Sequence, residues 1–244
     1  MKISRFYQAA ELQVGADLEL SAENHRHAIQ VLRLKAGEEL ILFNGEGGEY
    51  TARVIEMEKR NSKVRIEAYD PVNRESPLTS TLVLAMIKPD KMDFAIQKAV
   101  ELGGTRIQPM LTKRSVINIK ANRLDKKIQH WQAVVIAACE QSGRTAVPQI
   151  AEPLPIQECL QRYQESACIA MLPTSDQKFN ELSKLTTDAG ISLFIGPEGG
   201  FTEDEEQLMQ ENKVNSVTFG SRILRAETAV IAGLTACQQQ WGDL

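Results

Sequence analysis

From Thr79 onward, apolar runs of strand length alternate with stretches whose apolar residues recur at helical spacing, and no other feature of this 244-residue chain restricts its fold as much. TLVLAMIK is followed by Asp90 to Leu102, which sets Met92, Ile96, Ala99 and Val100 on one face before Gly103-Gly104 stops the helix. TRIQPML reads as the next strand, and a long helix is expected from Asn122 to Gln141. Strands recur at ACIAML, ISLFIG and SVTFG, with helices near Ile156–Tyr163 and Thr202–Asn212 and a last helix from about Glu227 to Gln240. Apolar strands set between helices form a parallel sheet covered on both faces, so the class is α/β.

The first 72 residues follow a different grammar. The alternating segment EELILFNGEGGEYTARVIEME is broken by Asn44-Gly45 and Gly47-Gly48, and a second alternating run, KVRIEAY, follows Asn61-Ser62. Only Ala22 to Leu34 looks helical there, starting after Ser21 with Ala28, Val31 and Leu32 at helical spacing. DPVNRESP, with two prolines, is the expected linker, which divides the chain into a mostly β domain, 1–72, and an α/β domain, 73–244.

Charge narrows the functional classes. The net charge is -4, but residues 88–144 carry 11 basic and 5 acidic side chains, whereas residues 145–244 carry 6 and 14. A basic middle beside an acidic end fits a localised anionic partner, and it also fits solvated helix faces. No stretch has the roughly 18 apolar residues of a membrane span and the start has no apolar signal core, so a cytoplasmic protein is expected. Cys139, Cys159, Cys168 and Cys237 form no C-x-x-C pair, and His25, His27 and His130 lack zinc-site spacings. Reduced, mostly buried thiols and no metal follow.

Parallel sheets bind ligands at the carboxyl ends of their strands. ISLFIG runs into Gly196-Pro197-Glu198-Gly199-Gly200-Phe201, and Thr202-Glu203-Asp204-Glu205 then opens a helix with capping-box spacing. Three glycines allow close backbone approach, but the acidic helix start repels phosphate, and neither a P-loop nor a G-x-G-x-x-G is present. SVTFG leads into Ser221-Arg222-Ile223-Leu224-Arg225, where arginines suit an oxyanion or a neighbouring acid. ACIAMLP ends in Leu172-Pro173, a pocket wall or a plain turn. Lys113, Arg114, Lys120, Arg123, Lys126, Lys127 and Arg144 form a basic cluster suited to sequence-independent phosphate contacts, and Arg26 and Arg33 add two more from the first domain. AVVIAAC (133–139) and AVIAGLTAC (229–237) are apolar round most of a helix, which points to burial on more than one side, by the sheet and by a second subunit.

GPEGGFTEDE followed by FGSRILRAETA, together with His27-x-x-x-Val31-Leu32-Arg33 and Gln141-Ser142-Gly143-Arg144, resembles the signature of the RsmE family, the bacterial 16S rRNA (uracil-N3) methyltransferases of the SPOUT superfamily. Phe219 stands where leucine is usual. The resemblance implies an N-terminal PUA-like β-barrel and a C-terminal SPOUT-type α/β domain tied in a trefoil knot. It also implies a homodimer, S-adenosylmethionine as cofactor, and methylation of one uridine in the decoding region near the 3′ end of the small-subunit RNA. Carried over by motif, Leu172, Gly196, Gly199, Gly200, Phe201, Gly220, Ile223, Leu224 and Ala229 would wall the cofactor pocket. The competing readings are another SPOUT enzyme acting on tRNA or a ribose, and a non-catalytic rRNA-binding assembly factor.

Given that reaction, N3 of uracil becomes nucleophilic only as its proton leaves, and negative charge spreads onto O2 and O4. A cation stabilises that anion and a carboxylate or water takes the proton, roles for which Arg225 and Glu198 are the candidates.

Overall fold

The computed structural model describes residues 3–115 and 123–244, so Lys120 and Asn122 lie outside the described residues. The chain forms two compact units, Met1–Glu75 with Cys139–Val147, and Ser76–Ala138 with Pro148–Leu244. The division falls at Glu75/Ser76 rather than after residue 72, and a late segment returns to the first unit.

The first unit is built on a five-stranded sheet of β1 (Arg5–Tyr7), β2 (Asp17–Glu19), β3 (Glu39–Phe43), β4 (Glu49–Met57) and β5 (Ser62–Asp70), in the order β1-β3-β4-β5-β2. Only the β1/β3 pair is parallel. In β5, Val64 and Ile66 are buried while Lys63 and Arg65 face water, so a one-residue slip would drive two charges into the core. Those residues pack with Phe6, Leu40, Leu42 and Val54. The helix expected over Ala22–Leu34 is α-helical only at Ala22–His25, here α1, and continues as a π-helix over Arg26–Val31. Arg33 then takes a left-handed φ of 59°. Hydrophobic spacing cannot separate an α-turn from a π-turn, because both set Ala28 on the core.

The returning segment is held by charge. Arg144 is buried and forms an ion pair with Glu75 through Nη2, and its Nε donates to the same carboxylate at 2.9 Å. The other oxygen of Glu75 accepts the amides of Thr145 and Ala146, both at 3.3 Å. Glu140 accepts the Tyr7 amide at 2.9 Å. Burial outweighs that hydrogen bond and pushes the Glu140 carboxyl up. The expected phosphate contact by Arg144 is therefore corrected, because its guanidinium is out of water and already committed to a carboxylate.

The second unit holds a parallel sheet of β6 (Ser80–Ala85), β7 (Arg106–Leu111), β8 (Gln149–Ile150), β9 (Leu154–Pro155), β10 (Ala167–Met171), β11 (Ile191–Ile195) and β12 (Asn215–Val217). Its order is β12-β10-β11-β6-β7-β8, with β9 also on β7, and every pairing is parallel. The central strands β6 and β11 are buried at every position, as their largely apolar sequences lead one to expect, with Ser80, Thr81 and Ser192 the buried polar exceptions. The helices are α2 (Pro89–Glu101), α3 (Leu124–Ser142), α4 (Ile156–Arg162), α5 (Glu203–Glu211) and α6 (Ala226–Trp241). Within this chain α3 is not covered all round: Val135 and Ala138 are buried, but Ala133 and Ala137 are exposed.

All four cysteines are free and buried. Burial pushes the thiols of Cys139, Cys159 and Cys237 up to about 12 and raises Cys168 as well. Because the thiolate is the reactive species, the native protein at about pH 8 should give almost no reaction with a thiol-specific disulfide reagent, and all four thiols should appear on unfolding. A raised folded pKa also means that stability is lost as pH climbs from the ordinary 9.0 toward about 12. Absorbance titration with and without denaturant checks the first expectation.

Candidate active site

Five chain segments at the carboxyl ends of parallel strands meet around one cavity of about 600 Å³. They are the start of α2 after β6, Arg114 after β7, Leu172–Thr174 after β10, Gly196–Phe201 after β11, and Thr218–Arg225 after β12. Leu172, Ile195, Phe201, Leu224 and Ala229 supply apolar wall.

The loop after β11 is shaped by its own sequence. Gly200 has a φ of +69°, a conformation that other residues adopt only under strain, and its amide closes a turn onto the Pro197 carbonyl at 2.8 Å. A Cβ on Gly196 would meet the Phe201 ring at 2.9 Å, so glycine is what lets that ring fold back. Thr202 then caps α5 reciprocally: its side chain accepts the Glu205 amide at 3.4 Å, and Glu205 accepts the Thr202 amide at 2.8 Å.

Two basic residues that follow β7 brace this loop. Arg114 Nη1 donates to the carbonyls of Gly199 at 2.9 Å and Phe201 at 3.0 Å. The Lys113 amide donates to Glu205 at 2.7 Å, and its ammonium pairs with Asp204. That hydrogen-bonded pair raises the Lys113 pKa and lowers that of Asp204. Both side chains, grouped by sequence with the phosphate contacts, are thus engaged at the loop.

Of the residues expected to wall the pocket, Leu172, Gly196, Gly200, Phe201, Ile223, Leu224 and Ala229 line the cavity, as do Arg225 and Glu198. Gly199 and Gly220 are not among the lining residues. A Cβ on Gly199 would stand 3.4 Å from the Arg114 side chain, an ordinary contact, so the brace does not itself require glycine there. Ile223 stands at the mouth, 84% exposed. Glu198 is exposed and accepts the Lys88 amide at 3.1 Å, which caps α2. Arg225 is the N-cap residue of α6 and is exposed.

Arg222, read from the sequence with Arg225 as suited to an oxyanion, also lines the cavity, as do Lys88, Lys91 and Glu227, which sequence reasoning missed. Glu227 is buried and pairs with Lys91 at 3.2 Å. The carboxyl-end rule, applied to β6 as it was to the later strands, would have found the lysines. Among the remaining basic candidates, Arg26 and Arg33 are exposed in the first unit, Arg123 and Lys126 are exposed at the start of α3, and the half-buried Lys127 lies 5.2 Å over the Trp131 ring.

The fold and site define a class: residues 74–238 match the RNA methyltransferase domain family, and residues 20–67 match the RNA methyltransferase PUA domain family. Ribosomal RNA small subunit methyltransferase E of Buchnera aphidicola subsp. Schizaphis graminum is 34% identical, covering 100% of this chain and 98% of the relative. The protein of that name from Rickettsia conorii is 35% identical, covering 96% and 94%. A Neisseria gonorrhoeae enzyme of that name, solved bound to S-adenosyl methionine, is 38% identical over 99% of both chains, with a TM-score of 0.92. A Legionella pneumophila protein solved with bound SAM is 36% identical over 100% of both, with a TM-score of 0.95. The chain belongs to the ribosomal RNA small subunit methyltransferase E family.

Proposed function

We propose that this protein transfers the methyl group of S-adenosylmethionine to N3 of one uridine in 16S rRNA, near the 3′ end in the decoding region of the small ribosomal subunit. The cavity at the carboxyl ends of β10, β11 and β12 carries this reading. Its residues fit the cofactor: apolar walls suit an adenosine, and Glu206 and Glu227 suit its positive groups. The four acidic residues in the first turn of α5 argue against a polyphosphate instead. About 600 Å³ is within the usual range for small-molecule sites.

When bound, S-adenosylmethionine supplies an electrophilic methyl group. Arg225 stands at the cavity, where its guanidinium stabilises the charge that develops on the uracil carbonyl oxygens as N3 loses its proton. Glu198 Oε1 is engaged with the Lys88 amide, so Glu198 positions α2 and water takes the proton. Arg114 acts through the loop, holding two of its carbonyls.

Arg114→Ala should therefore weaken S-adenosylmethionine binding by about tenfold or more through loss of two charge-assisted hydrogen bonds, with little change in thermal stability at this exposed position. Calorimetry and a thermal melt measure the two effects.

The wider reading follows the family. The five-stranded sheet of the PUA domain closes as a barrel, the chain after β12 is threaded as a trefoil knot, and the protein works as a homodimer in the cytoplasm, where its rRNA is. Exposed Ala133 and Ala137 on α3 support the dimer, and among the described residues no helix is long and apolar enough to cross a membrane. Arg26, Arg33, Arg123, Lys126 and Lys127 supply phosphate contacts.

Incubation with methyl-labelled S-adenosylmethionine and unmodified 30S particles, followed by nucleoside analysis, tests the reading. The expected product is 3-methyluridine; label in a ribose or in another base would overturn it, as would no transfer to either 30S particles or naked rRNA.

A further inference from the structure

Ile223 has the highest exposure, 84%, of any large apolar side chain among the described residues, and yet it stands at the mouth of the cavity. Single exposed apolar residues are ordinary. The company of this one is not. The chain is acidic overall, but five cationic and three acidic side chains line the cavity. Two of the cations are spoken for, Arg114 by the carbonyls of Gly199 and Phe201 and Lys91 by Glu227. Among the described residues, no hydrogen bond or ion pair engages the side chains of Lys88, Arg222 and Arg225. The cavity lining thus includes one exposed apolar tip and three exposed, uncommitted positive charges.

An apolar peptide or a neutral helix has no use for those charges, whereas a polyanion that also carries flat apolar faces uses both features. Nucleic acid is that chemistry. Resting on the methyl-transfer reading, the requirement is sharper still. N3 lies on the pairing edge of uracil, so the nucleotide has to leave its stack to reach a cavity, at a cost of a few kcal/mol. An apolar wedge that occupies the vacated space recovers part of that cost.

We propose that the lip Arg222–Arg225 opens the RNA: Ile223 fills the space that the target uridine leaves in its stack, and Arg222 and Lys88 hold the phosphates on either side of it. Ile223 is then a specificity and positioning residue toward RNA, not a wall of the cofactor site.

The test uses the full chain with Ile223→Ser, Ile223→Met and Arg222→Ala, and leaves Arg225 untouched. At 84% exposure, position 223 tolerates polar replacement, and a thermal melt confirms it. Ile223→Ser should lower kcat/KM for unmodified 30S particles by about tenfold or more while S-adenosylmethionine affinity stays within about twofold. Ile223→Met should restore much of the rate, and Arg222→Ala should reduce the salt slope of RNA binding by about one. Unchanged kcat/KM in Ile223→Ser overturns the proposal. So does cofactor affinity that falls in step with the rate, which returns Ile223 to the pocket wall. Light scattering that shows Ile223→Ser separating two copies overturns it as well, in favour of a subunit contact. If the parent protein transfers no label to RNA, the methyl-transfer reading is what fails. The lip is then judged by titration of 30S particles: weaker binding by Ile223→Ser supports it, and identical curves overturn it.

Discussion

Arg225→Ala should slow methyl transfer by about 10²–10³-fold at saturating S-adenosylmethionine, the usual effect of deleting a group that stabilises charge in the transition state. The side chain is exposed at the cavity and the residue starts α6, with φ −67° and ψ 153° that any residue adopts, so alanine disturbs neither the fold nor the helix start. Cofactor affinity should change little, because the charge that Arg225 meets develops on the uracil only as N3 is deprotonated. Arg225→Lys keeps the charge but loses the planar fork, and should recover part of the rate. Single-turnover transfer to unmodified 30S particles, alongside calorimetry, separates the two quantities. A rate within a few fold of the parent would remove Arg225 from the chemistry.

The second large effect is on stability. Glu75→Ala leaves the buried guanidinium of Arg144, whose side chain is 5% exposed, without its carboxylate, and it strips the amides of Thr145 and Ala146 of their acceptor. Removing one partner of a buried ion pair costs about 3–5 kcal/mol, far more than a surface pair. The urea midpoint should fall accordingly, and Arg144→Ala should match it. The alternative, that Arg144 meets phosphate, predicts normal stability and a lowered salt slope of RNA binding, so one denaturation series distinguishes them.

Arg144 also shows where sequence reading stops. Charge in a one-dimensional string says nothing of burial, and a guanidinium beside Gly143 reads alike whether it meets phosphate or a carboxylate 69 residues earlier. The parallel sheet was legible because β6 and β11 are buried at every position and are mostly apolar. Strands β8 and β9 were not, since two residues carry no period. In the candidate site, the loop after β11 could be read because Gly196, Gly200 and the capping Thr202 each answer a local backbone need. The Arg114 brace on the Gly199 carbonyl could not, because it spans 85 residues, and neither could the Lys91–Glu227 pair.

The first unit is discontinuous, and this orders events at the ribosome. When Glu75 has been synthesised, the groups that satisfy it, Arg144, Thr145 and Ala146, do not yet exist, and neither does the Glu140 carboxylate that receives the Tyr7 amide. A nascent chain grows at about 5–20 residues per second, so the unit that begins first waits several seconds for its last nine residues, Cys139–Val147. In that interval the strands β6 and β7 and the helix α2 of the other unit have already emerged. A fragment ended at Glu75 would never receive the missing segment, and the amino-terminal unit should resist isolation unless residues 139–147 are supplied in trans or joined by a linker.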